Sequence, residues 1–233
     1  MGLCNLRENS ARVQHKSLTP RALGNLPAVS ESQNISSPLL ALPAIDADRA
    51  RIETAMQESV HTPDAYLNEI ASHLIVAGGK RLRPVLAVAA AQVNGVAAAD
   101  DVVRGGVSCE LVHLGSLYHD DVMDEADTRR GVETVNAKWG NLQAILAGDF
   151  LLSRASEIAA SLGTEVAGLL ARTIGWLCEG QIAELRHTYD VSRPESSYFT
   201  SIHGKTASLY GTAARIGGIV AGHDRVTIDA LTD

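Results

Sequence analysis

The sequence predicts an all-α fold. Three observations carry that expectation. Ala and Leu, both strong helix formers, dominate the apolar content, while Phe and Trp occur only twice each. Clusters of β-branched or aromatic residues bounded by turn signals, the mark of strands, are few. Apolar residues recur at helical spacing from about residue 46 onward. At 233 residues the chain is long enough for one substantial domain or two small ones.

Residues 1–42 are Ser-, Asn- and Pro-rich, mildly basic and without helical periodicity, and read as a disordered leader. Four basic against two acidic residues there leave an organellar transit peptide as the alternative to an untargeted extension of a cytoplasmic protein. The domain itself is expected over residues 43–233. Helical patterning starts near Asp46 and runs to about Val76, where Gly78-Gly79 breaks it. Arg83-Pro84 opens the next helix, with Pro near its first turn, and Val85 to Val93 is apolar enough to be buried. Asp100-Asp101 can cap a long helix that reaches about Glu125. A polar loop from Ala126 to Thr134 follows. Two Ala/Leu-rich helices, Asn136 to Leu162 and Thr164 to Tyr189, are separated by Gly163. Pro194 begins the segment that carries Lys205. After Gly222 a short turn leads into Thr227 to Asp233, the beginning of a helix. No period of a solenoid repeat is present.

Composition narrows the function classes. The net charge of −7 argues against nucleic acid as a partner, whose binders carry a basic patch or stripe. An anionic substrate remains compatible, since a site can be locally basic or bridged by metal. Cys4, Cys109 and Cys178 are far apart and lack metal-ligand spacing, which fits a reducing compartment. No apolar run reaches the ~18 residues of a transmembrane span. Leu6 stands where N-myristoylation wants Ser or Thr.

The chemistry concentrates in one acidic cluster: Asp120, Asp121, Asp124, Glu125 and Asp127. On a helix, Asp120 and Asp124 are i,i+4 neighbours, and His113, Leu117, Asp120, Asp124 and Asp127 form one stripe. The opposite stripe, Val103, Val107, Leu111, Leu114, Tyr118 and Val122, is mostly apolar and suits the core. Like-charge pairs at i,i+4 destabilise a helix by roughly 0.2–0.5 kcal/mol, a repulsion that a cation removes. Mg²⁺ is commonly held by one or two carboxylates together with substrate phosphates. Taken alone, the cluster reads equally as a solvated helix end. Two basic groups complement it: Lys80, Arg81 and Arg83 beside Gly78-Gly79, and Arg129-Arg130 directly after the acids. Arg forks bind phosphate bidentately and Lys supplies a point charge, while glycines at a helix boundary let backbone N–H groups approach an anion. The combination suits two diphosphates, one bridged by metal and one held by cations.

At these residues the chain resembles the trans-isoprenyl (polyprenyl) diphosphate synthases. The matching strings are GGKRLRP at Gly78–Pro84, LVHLGSLYHDDVMDEADTRRG at Leu111–Gly131, AGDFLLSRA at Ala147–Ala155, EGQIAEL at Glu179–Leu185 and KTASL at Lys205–Leu209, in the family's order and spacing. The resemblance implies a bundle of long antiparallel helices around a central cavity, usually a homodimer. It implies Mg²⁺ as cofactor, held against the allylic diphosphate by Asp120, Asp121 and Asp124. Arg129 would contact the same diphosphate, and Lys205, with Thr206, would reach it from an opposing helix. Lys80, Arg83, His113 and Arg130 would hold isopentenyl diphosphate, and Gln181 would line the site. The implied chemistry is ionisation, condensation and elimination, with the released pyrophosphate taking the proton. Gly115 and Ser116, small where short-chain members carry bulky aromatics, imply a product longer than farnesyl diphosphate.

One departure stands out. The family carries a second aspartate-rich motif on a later helix, and none follows Lys205 here. TIDALTD resembles the start of that helix, so the chain reads as C-terminally truncated, with its last helices missing. That leaves the activity of these residues alone in question and keeps two alternatives: a non-catalytic subunit that partners a full-length synthase, and a class I terpene cyclase, which also uses DDxxD.

Overall fold

The structure, a computed structural model, describes residues 45–233; the predicted leader at 1–42 lies outside the described residues. Ten α-helices follow in order among the described residues: α1 (Ile45–Ser59), α2 (Ala65–Val76), α3 (Leu82–Ala91), α4 (Asp100–Met123), α5 (Val135–Trp139), α6 (Asn141–Ser161), α7 (Thr164–Arg186), α8 (Glu195–Ile202), α9 (Ser208–Val220) and α10 (Arg225–Thr232). A π-helical turn, His203–Ala207, joins α8 to α9. The only strands among the described residues are the two-residue β1 (Thr128–Arg129) and β2 (Val132–Glu133). The all-α expectation therefore holds.

Several boundaries differ from the sequence reading, each for a local reason. The run from 46 to 76 is two helices, because Pro63 disfavours helical geometry at Thr62. Asp64 then caps α2, its carboxylate accepting from the Tyr66 and Leu67 N–H groups at 3.0 and 3.1 Å. Asp100 and Asp101 do not cap α4. The N-cap is Ala99, without a side-chain bond, and the two acids occupy the first turn, where the helix dipole favours them. Gly140, at φ 97°, separates α5 from α6 where one helix was expected. The stretch read as a polar loop folds as a hairpin. Arg129 pairs with Val132, and Arg130 and Gly131 between them both have positive φ, 54° and 79°, as a type I′ turn requires.

The long helix α4 is central. It packs against α1, α3, α5, α6 and α9. Its predicted apolar stripe is buried as expected from Val103 to Tyr118, with Val122 half-buried, but the opposite side is largely covered too, since Gly105, Gly106, Ser108, Cys109 and Glu110 are also buried. Leu111, Leu114 and Tyr118 are fully enclosed, and burying each such side chain stabilises the fold by about 1.5–3 kcal/mol. The Tyr118 hydroxyl donates to the Ile70 carbonyl at 2.8 Å and so ties α4 to the last turns of α2. Where α4 crosses α6 the backbones nearly touch: a Cβ on Gly115 would lie 3.0 Å from the Gly148 carbonyl oxygen. Gly115 thus serves helix packing and does not line an open channel, while the half-buried Ser116 beside it donates its hydroxyl to the His113 carbonyl at 2.8 Å. No described helix is long and apolar enough to cross a membrane.

Candidate active site

The C-terminal end of α4 presents the acids. Asp120 is half-buried on the last turn, and Asp124 is the exposed C-cap, its N–H donating to the Asp120 carbonyl at 2.8 Å. Asp127 lies beyond the helix, in the approach to β1, so the stripe does not continue to it. Asp121 points elsewhere. It is buried, and its carboxylate accepts from Arg129 Nε at 2.6 Å. The hairpin thereby fixes Arg129 beside the aspartates. Burial raises the pKa of Asp121, opposed by the Arg129 hydrogen bond. Asp120 is also raised, first by burial and further by Asp124, while Lys205 pulls it down. Asp120 and Asp124 are therefore two open, mutually repelling carboxylates within the field of a lysine. No group of three or more His, Cys, Asp or Glu side chains is gathered in a metal-holding arrangement among the described residues. A two-carboxylate site is nevertheless what a hydrated Mg²⁺ shared with phosphates needs.

Lys205 is positioned by backbone contact with α7. Its π-helical turn abuts α7 so closely that a Cβ on Gly180 would collide with the Lys205 amide nitrogen and lie 2.8 Å from the Ser201 carbonyl oxygen. π-turns of this kind often mark functional sites. The Lys205 ammonium is held by Glu184, at 2.6 Å, one turn along α7 from Gln181. The Gln181 Oε1 is buried and lacks a hydrogen-bond partner. Thr206 is exposed on the same turn and lines a cavity of about 1690 Å³ between α7, α8, α9 and α10. Asp120, Asp121 and Asp124 do not line that cavity. It adjoins the site and is not its centre.

A second cluster gathers guanidinium groups around His113. Arg130, in the hairpin turn, donates to the carbonyls of Leu74 and Gly78. Arg81, at a left-handed φ of 49°, is buried; it binds both oxygens of Glu53 at 2.7 and 3.1 Å and the Ile75 carbonyl at 2.7 Å. Gly79 makes room for both arginines, since a Cβ there would lie 2.9 Å from Arg130 Nη1 and 3.1 Å from Arg81 Nη1. Arg83 is buried with its guanidinium 4.6 Å from the centre of the Tyr210 ring. Lys80 is exposed at the rim. Burial, then Arg83, Arg130, Arg129 and Arg81 in that order, drive the pKa of His113 down to about 3. His113 is thus held neutral among cations.

The structure therefore forms two groupings from the predicted residues: Asp120, Asp124, Arg129 and Lys205, with Asp121 behind them and Gln181 and Thr206 alongside; and Arg83, His113 and Arg130, with Lys80 at the edge. The family model for polyprenyl synthetases matches residues 64–233. The chain belongs to the polyprenyl synthetase family. It is similar to nonaprenyl diphosphate synthase of Mycobacterium tuberculosis, with 41% identity over 189 residues, covering 81% of this chain and 56% of that protein. Octaprenyl diphosphate synthase of Escherichia coli is 35% identical over 176 residues, covering 75% and 54%. The crystal structure of a polyprenyl synthase from Caulobacter crescentus, complexed with calcium and isoprenyl diphosphate, superposes with a TM-score of 0.78 at 35% identity, over 84% of this chain and 59% of that one. The fold is thus the all-α isoprenoid synthase fold of the polyprenyl synthetases. The chain spans about half the length of the curated relatives it matches.

Three residues of this polyprenyl synthetase site escaped the sequence reading. Glu184 clamps Lys205, Tyr210 stacks on Arg83, and Glu110 is buried 3.7 Å from Arg81 and 3.8 Å from Arg83. Glu184 lay within the EGQIAEL string without being singled out, and Glu110 gave a signal of its own. It lies three residues before His113, on the same stripe as the aspartates, and is the lone acid in an otherwise apolar stretch of α4.

Proposed function

We propose that the chain carries the substrate-binding residues of a Mg²⁺-dependent polyprenyl diphosphate synthase, which condenses isopentenyl diphosphate with an allylic diphosphate. The observation that carries this reading is the separation of charge into two groupings, the Asp120 and Asp124 carboxylates within the field of Lys205 and Arg129, and a guanidinium cluster near a neutral His113. One diphosphate bound through metal and one bound by cations need those two environments. Asp120 and Asp124 would hold the Mg²⁺, which when bound neutralises charge on the departing pyrophosphate. Asp121 keeps Arg129 in place, and Arg129 and Lys205 contribute fixed positive charge where the allylic C–O bond breaks. Arg83, Arg130, His113 and Lys80 orient the isopentenyl diphosphate so that its double bond meets the allylic carbon. The exposed apolar stripe Leu142, Ile145 and Leu146 on α6, at helical spacing, supports assembly as a homodimer.

The relatives and solved neighbours named above are prenyl diphosphate synthases and do not favour a terpene cyclase. The test is incubation with labelled isopentenyl diphosphate and farnesyl diphosphate, with Mg²⁺ and with chelator. Incorporation of label into a longer allylic product, abolished by chelator, is expected. Metal-dependent cyclisation of the allylic substrate without incorporation would refute the reading.

A further inference from the structure

Four guanidinium groups act on His113, and among them those of Arg81, Arg83 and Arg130 are not equally anchored. Arg81 is fixed by Glu53 and the Ile75 carbonyl, and Arg130 by the carbonyls of Leu74 and Gly78. Arg83 has neither kind of anchor. Its contacts are the face of the Tyr210 ring and, 3.8 Å from its Nη1, the Oε2 of Glu110. Glu110 is 2% exposed and its other oxygen lies 3.7 Å from Arg81 Nη1. Both separations are too long for hydrogen bonds. Glu110 Oε2, Arg81 Nη1 and Arg83 Nε are all buried atoms without a hydrogen-bond partner. A carboxylate placed this way exerts attraction without occupying the donors. Arg83 keeps 9% of its side chain exposed against 1% for Arg81, so of the two it is the one an incoming anion can reach.

We propose that Glu110 is a positioning residue for anion binding, holding Arg83 beside Arg81 against the mutual repulsion of the guanidinium groups while leaving the Arg83 donors free for a diphosphate. This rests on reading the guanidinium cluster as a diphosphate site. It makes a prediction opposite in sign to simple electrostatics. Removing a negative charge near an anion site should by Coulomb attraction alone tighten anion binding. Here it releases the least anchored arginine toward solvent, and binding weakens.

The experiment is a double-mutant cycle on the affinity for inorganic pyrophosphate, measured by calorimetry on the whole chain without divalent metal. Wild type should bind, and Arg83→Gln should bind more weakly. Glu110→Gln should weaken binding about tenfold in the wild-type background and cause no further loss in the Arg83→Gln background, since it acts through Arg83. Glu110→Asp, which keeps the charge but draws it back by a methylene, should lose less and should show the same dependence on Arg83. That variant carries the cycle if Glu110→Gln does not fold, and circular dichroism decides which is used. Tighter binding by the Glu110 variants, or equal losses in both backgrounds, would overturn the proposal. A wild-type chain that binds no pyrophosphate would overturn the diphosphate reading itself, and the proposal with it. Wild-type binding with a neutral Glu110 substitution would overturn the proposal alone.

Discussion

Acid should unfold this protein through His113. Folding lowers that imidazole to about 3, with burial as the first cause and the surrounding arginines adding to it, whereas an unfolded histidine titrates near its ordinary 6.5. The native pKa is the lower of the two, so between about pH 6.5 and pH 3 the unfolded chain binds the extra proton. Stability contributed by this group is complete above pH 6.5 and is lost as the pH falls through that window. Each pH unit corresponds to about 1.4 kcal/mol, so at pH 5 the loss approaches about 2 kcal/mol, an upper figure for a half-buried ring. Glu110 works with the opposite sign. Burial raises its pKa, with Arg83, Arg81 and Arg130 opposing, so its contribution grows as the pH falls. Comparing wild type with His113→Asn over the same window cancels that term to first order. Urea unfolding at pH 7 and pH 5 should show wild type losing more than His113→Asn over the interval, by up to about 2 kcal/mol. A difference below about 0.5 kcal/mol, the ordinary scatter of a neutral substitution, would refute the assignment of His113 as a buried neutral base.

Three further outcomes follow from the packing. Gly180→Ala should push the π-helical turn away from α7, costing about 1–3 kcal/mol in a denaturant titration, and wild-type stability would contradict the close approach seen at Ser201 and Lys205. Tyr118→Phe should cost about 0.5–1.5 kcal/mol, because the Ile70 carbonyl loses its donor, and an unchanged unfolding midpoint would remove that hydrogen bond from the account. If products are longer than fifteen carbons, Ser116→Phe should shorten them on chromatography; a wild-type product ending at farnesyl diphosphate would contradict the reading of Ser116 as an open position.

What could be read from the sequence was local. Asp120 and Asp124 are paired by helix periodicity alone, and the buried stripe from Val103 to Tyr118 follows from the same spacing. Pro63 was a readable break, but the apolar pattern on either side of it suggested one continuous helix. Asp100 resembled a cap, yet the turn before it put Ala99 at that position. The hairpin could not be foreseen, because it depends on Arg130 adopting a left-handed backbone that non-glycine residues seldom take. The partners that shape the site, Glu110 with Arg83 and Glu184 with Lys205, are far apart in sequence or lie on a π-turn whose register no helical wheel reproduces.

The central claim is that the Asp120 and Asp124 carboxylates, within the field of Lys205, form a metal-bridged diphosphate site. Calorimetric titration of the whole chain with inorganic pyrophosphate, with and without Mg²⁺, tests it most directly. Mg²⁺ should tighten wild-type binding about tenfold or more, equivalent to about 1.4 kcal/mol, and Asp120→Asn should abolish that increment while leaving the helical circular dichroism and the metal-free binding intact. An increment that survives in Asp120→Asn, or that is missing from wild type, would contradict the claim.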